Sequence, residues 1–78
     1  MPGDDDRTVH ARLSTGLEVV RYDREGRWFF EMEGHPRQRV TIKEAVQTVR
    51  AAVAAKGDTI EVFVGRPGGG AFDRKVQA

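Results

Sequence analysis

The sequence predicts an α+β domain: an antiparallel sheet of three to five strands with one α-helix packed on one face, in β-β-α-β-β order. Three observations carry that prediction. Apolar residues alternate from Arg27 to Glu33, with Trp28, Phe30 and Met32 on one side and Arg27, Phe29, Glu31 and Glu33 on the other. Further on, Ile42, Ala45, Val46, Val49, Ala52 and Val53 recur at helical spacing and form one apolar stripe. The whole chain has 78 residues, enough for one small domain around one core.

Each element has a local reason. Residues 1–7 hold no apolar anchor and read as a disordered acidic tail ahead of a single domain over residues 8–78. Thr8 to Leu13 alternates, with Val9, Ala11 and Leu13 expected on one side and Thr8, His10 and Arg12 on the other. Ser14-Thr15-Gly16 is a turn, and Leu17 to Tyr22 is rich in β-formers. Asp23-Arg24-Glu25-Gly26 is a second turn, with glycine where a positive φ is wanted.

Gly34-His35-Pro36 ends the hairpin, because Pro36 donates no hydrogen bond and restricts His35. Arg37 to Val40 adds a short extended piece. Thr41 with Glu44 three residues on is a capping box, so a helix should run from Ile42 to about Lys56 and stop at Gly57. Thr59 to Val64 reads as a strand with Ile60, Val62 and Val64 inward and Glu61 and Phe63 outward. Arg66 to Gly70 is a flexible loop, and Ala71 to Val76 is expected to return as an edge strand. The resulting inward set is Leu17, Val19, Trp28, Phe30, Met32, Ile42, Val46, Val49, Val53, Ile60, Val62 and Val64.

Composition narrows function by exclusion. With no cysteine, disulfides, zinc fingers, iron–sulfur sites and thiol nucleophiles are all ruled out. The longest nearly apolar run, Ala51 to Ala55, is far short of the roughly 20 residues a membrane span needs. The opening Met-Pro-Gly-Asp-Asp-Asp is the opposite of a basic, then apolar, leader, so a cytoplasmic protein is expected. Gly65-Arg66-Pro67-Gly68-Gly69-Gly70 has the glycine spacing of a phosphate loop but lacks the following Lys and Ser/Thr. His10 and His35 have no third ligand spaced with them, and Ser14 and the carboxylates form no recognisable catalytic arrangement. Hence no catalytic residue, metal, cofactor or small-molecule substrate is expected.

The informative residues are those left outside the core. By strand parity Val20, Tyr22, Phe29 and Phe63 all project from the sheet face the helix leaves uncovered, where polar residues are the rule. Glu18, Glu31 and Glu61 share that face, with Arg27 as the main positive exception, and carboxylates repel a phosphate backbone. The expectation is therefore a non-enzymatic interaction module that pairs with a second copy, or with another protein, through the aromatic face. The alternative is a nucleic-acid-binding protein, regulatory or antitoxin-like, using the basic loop and helix. Its phosphate contacts would be Arg37, Arg39, Lys43 and Arg50, with Arg66 and Arg74 added.

Trp28 and the run Val40-Thr41-Ile42-Lys43-Glu44-Ala45 also carry a resemblance. A Trp-bearing hairpin strand, a helix starting Thr-x-x-Glu-Ala, a strand and a short Gly-containing hairpin resemble a bacterial family of uncharacterised short domains. More loosely the pattern is similar to the HicB-type antitoxin domain, whose strand also leads into a Thr-x-x-Glu-Ala helix. The match covers roughly residues 17–76. The loop at Arg66–Gly70 is longer and richer in glycine than the family hairpin, and the antitoxins' Pro-Gly-Cys turn is absent. The resemblance implies the topology and a binding role, with no catalytic residues to carry over.

Overall fold

The computed structural model describes residues 7–22, 26–55, 60–66 and 68–77. Along them run β1 (Arg7–Leu13), β2 (Glu18–Tyr22), β3 (Arg27–Glu31), β4 (Gln38–Val40), α1 (Ile42–Ala54), β5 (Ile60–Val62) and α2 (Gly70–Gln77). The strands form one antiparallel sheet of order β4-β3-β2-β1-β5. The α+β class therefore holds, with two helices in place of the one expected. Helix α1 carries the chain from the β4 edge to the opposite edge, where β5 pairs with β1.

Helix α1 starts where the capping box places it. The Glu44 amide donates to Thr41 Oγ1 and the Thr41 amide donates to Glu44 Oε1, both at 3.1 Å, satisfying two amides that the first turn leaves over. Ala45, Val46, Val49 and Ala52 are buried against the sheet. The stripe outruns the surface it covers: Val53, in the last turn, is 58% exposed instead of being a core residue. The helix ends at Ala54 with Ala55 as its C-cap, and the expected stop at Lys56–Gly57 lies outside the described residues.

Four further expectations are corrected. Ala71 to Val76 is helical, within α2, and not an edge strand. Its Phe72 has no exposed surface and, with Val76 one turn on, packs into the core. Asp73 lies in the first turn and Arg74 and Lys75 in the last, the order that suits the helix dipole. Secondly, β5 stops at Val62, and Val64, in the turn beyond it, is 50% exposed because the strand alternation no longer applies there.

Thirdly, the β1–β2 register shifts between Val9 and Ala11, a β-bulge that places His10 and Ala11 together opposite Val19. Both residues consequently face the helices, while Val9 goes to the other side, so the simple alternation from Thr8 to Leu13 fails. His10 is fully buried, with its ring 4.8 Å from Trp28 and 5.6 Å from Phe72, and Trp28 stacks on Phe72 at 4.9 Å. Finally, Arg7, expected at the end of a tail, opens β1, while residues 1–6 lie outside the described set.

The glycine-rich segment is a close crossing and not a loose loop. A side-chain carbon added at Gly69 would lie 2.7 Å from His10 Cε1, and one at Gly68 would fall on the Arg21 guanidinium. Gly68 also has φ +79°, which other residues adopt at a cost. Glycine lets this strand of backbone lie directly over His10 and Arg21 and deliver Phe72 to Trp28. A Gly65 N–H bond to Asp73 Oδ2 at 2.8 Å ties the start of the crossing to α2.

Candidate functional site on the helix-free sheet face

Register decides which side chains share the face away from the helices. Val9 opposes Val20 and Val20 opposes Phe29; Arg7 opposes Tyr22 and Tyr22 opposes Arg27; Phe29 opposes Arg39. Phe63 follows β5, and its N–H donates to the His10 carbonyl at 2.9 Å, which sets it beside Val9 on this same side. Tyr22, Phe29 and Phe63 therefore do lie on one face, as parity requires. Val20 lies there too but has no exposed surface, so it supports the layer from beneath and presents nothing to a partner.

The rings are not bare. Tyr22 and Phe29 meet edge to face with centroids 5.3 Å apart. Arg37 lies over both, its guanidinium carbon 4.9 Å from the Tyr22 centroid and 4.7 Å from that of Phe29. Phe63 has two guanidinium groups beside it, Arg66 at 5.2 Å and Arg12 at 5.8 Å. Each cation is held by the negative face of a ring, and each ring is half covered by the cation.

The electrostatics depart from the sequence expectation. Glu18 and Glu31 oppose each other directly across β2 and β3, a like-charge pair that would by itself destabilise the sheet. Arg7 Nη2 sits between them, 2.8 Å from Glu18 Oε1 and 3.0 Å from Glu31 Oε1. Arg12 Nε binds the other oxygen of Glu18 at 3.0 Å, Arg12 Nη1 comes within 3.9 Å of Glu61, and the Tyr22 hydroxyl donates to Glu31. Partial burial pushes the Glu18 pKa up, and the hydrogen bonds from Arg12 and Arg7, with their charges, more than reverse this, leaving it below the ordinary value. Arg7 is the converse case: partial burial disfavours its charge, and Glu31 and Glu18 together raise its pKa regardless.

The face is thus not the acidic one that Glu18, Glu31 and Glu61 foretold. Among the described residues it carries Arg7, Arg12, Arg27, Arg37, Arg39 and Arg66 against Glu18, Glu31, Glu33 and Glu61. Arg7 and Arg12 were missed for separate reasons. Arg7 follows three aspartates and looks like tail, and Arg12 becomes a neighbour of Phe63 only once β5 pairs with β1. Of the charged residues named for phosphate contact, Arg37, Arg39 and Arg66 belong to this face. Lys43 and Arg50 are on the exposed side of α1 and Arg74 is on α2, over the opposite side of the sheet. The single basic patch expected from Arg37, Arg39, Lys43 and Arg50 is therefore divided between two sides of the molecule.

Two hollows open on the face. One of about 580 Å³ is lined by Glu18, Tyr22, Glu31, Met32, Glu33, His35 and Arg37. The other, of about 420 Å³, is lined by Arg7, Thr8, Val9, Arg12, Phe63 and Arg66. Among the described residues no three His, Asp or Glu side chains stand together as metal ligands would, and no helix is long and apolar enough to cross a membrane. No family model, curated protein or solved structure matches this chain, so its face is read from its own chemistry alone.

Proposed function

We propose that the chain is a non-enzymatic interaction module, working in the cytoplasm through its helix-free sheet face, and that its partner is an anionic macromolecule. One observation carries the reading: Tyr22, Phe29 and Phe63 all sit under arginine, while Glu18 and Glu31, the carboxylates nearest them, are occupied by Arg7 and Arg12. What the face has left to offer a partner is cationic and aromatic. Arg39 and Arg66 have no ion-pair partner among the described residues. A second copy of the chain, the partner first expected, would set the same arginine-rich surface against itself, and such like-charge apposition disfavours association.

Sedimentation velocity at micromolar concentration, alone and with long-chain polyphosphate, tests this. The expected result is a monomer that binds polyphosphate tightly at low salt and much less tightly at moderate salt. An Arg39→Glu/Arg66→Glu double variant should bind it more weakly. A stable dimer that Phe29→Glu dissociates, with no affinity for polyanions at low salt, would restore the self-association reading in its place.

A further inference from the structure

Resting on that reading of the face, we propose that the anionic partner is a single strand of nucleic acid. It lies across the strands along the row Phe29–Val20–Val9–Phe63 and stacks bases at the two ends. The row follows from register: Phe29 pairs with Val20, Val20 with Val9, and Phe63 is held beside the bulge by its bond to the His10 carbonyl. Three strand spacings of about 4.8 Å separate the two phenylalanines, or about 14 Å. Val20 is fully buried between them, so the accessible stations are at the ends.

Both stations are built alike. At one, the Arg37 guanidinium lies on Tyr22 and Phe29 together; at the other, Arg66 and Arg12 flank Phe63. A guanidinium resting on a ring keeps its outer plane free for a base, and bases stack on arginine planes as they do on aromatic rings. Phosphates have their own contacts. The hollow at Phe63 holds three arginines and a threonine with no carboxylate in its lining, and Arg39 stands beside Phe29 at the far end. This combination selects among anions. In a duplex the bases are already stacked on one another and cannot reach the stations, whereas a bare polyphosphate has nothing to stack.

Fluorescence anisotropy with a labelled thymidine octamer, the matching uridine octamer, a DNA duplex of the same length and long-chain polyphosphate separates these cases. At low salt the single strands should bind most tightly and lose affinity steeply as salt rises. Phe29→Leu and Phe63→Leu keep apolar bulk and remove the ring, and circular dichroism with a thermal melt confirms that each variant folds. Each should weaken single-strand binding at least about fivefold, in line with the stacking worth of one base, and leave polyphosphate binding unchanged. A difference between the thymidine and uridine arms assigns the natural strand to DNA or RNA. If duplex binds as well as single strand, or if the leucine variants bind single strands like wild type, stacking is wrong while the anionic-partner reading stands. If neither polyphosphate nor any oligonucleotide binds at low salt, both fall.

Discussion

Gly69 and His10 show how much a single position decides in this chain. The imidazole is enclosed by Trp28 and Phe72, and the backbone at Gly69 lies against its edge. A methyl group there would stand 2.7 Å from a ring with no exposed surface and no room to retreat. Gly69→Ala should therefore destabilise the protein by about 1–3 kcal/mol, the usual cost of overpacking a filled interior. Urea denaturation measures this, and wild-type stability in the variant would mean that the crossing is not close-packed. The same scale explains why the residue pattern misleads. A histidine and a run of glycines look like surface in a sequence, and only the bulge at Val9–Ala11 and the docking of Phe72 take them inside.

Among the elements, α2 is the least secure by composition and the most dependent on tertiary contacts. An eight-residue helix has little stability of its own in water, so its persistence rests on Phe72 and Val76. Truncating Phe72 removes the ring that stacks on Trp28 and covers His10. Phe72→Ala should cost about 3–5 kcal/mol, a large part of the roughly 5–15 kcal/mol that holds a native domain together. A thermal melt followed by Trp28 fluorescence reads both the lost stability and the altered surroundings of the indole. An unchanged melt would show that α2 does not support the core.

For the whole molecule the sheet face links stability to pH. Glu18 has a pKa below its ordinary value in the folded state, so its ion pairs stabilise the fold above the unfolded carboxylate pKa. That contribution is lost as pH falls through the lower folded value. Chemical denaturation between about pH 7 and about pH 3 should show stability declining towards acid, with a shallower decline in Glu18→Gln. Identical pH profiles for the two proteins would remove Glu18 from the account. Because the same arginines neutralise Glu18 and Glu31 and surround the rings, acid unfolding and partner binding draw on one set of side chains.

Local chemistry alone specifies a good part of this protein. The capping box at Thr41–Glu44, the stripe Ala45–Val46–Val49–Ala52 and the Trp28/Phe29 alternation act within a few residues, and they place α1, the β2–β3 hairpin and the common face of Tyr22, Phe29 and Phe63. Residues 71–76 are ambiguous at that range, since Phe72 and Val76, four apart, share a face in a strand and in a helix alike. Tertiary structure decides for the helix, because Trp28 and His10 offer a site that only a helical Phe72 fills together with Val76. The sign of the face is likewise non-local: Arg7 reaches Glu18 and Glu31, and Arg12 and Arg66 reach Phe63, only after β1 has paired with both β2 and β5. Periodicity reports which side of an element is apolar; which charges meet across a sheet is settled by strand order and register, and no window of neighbouring residues contains either.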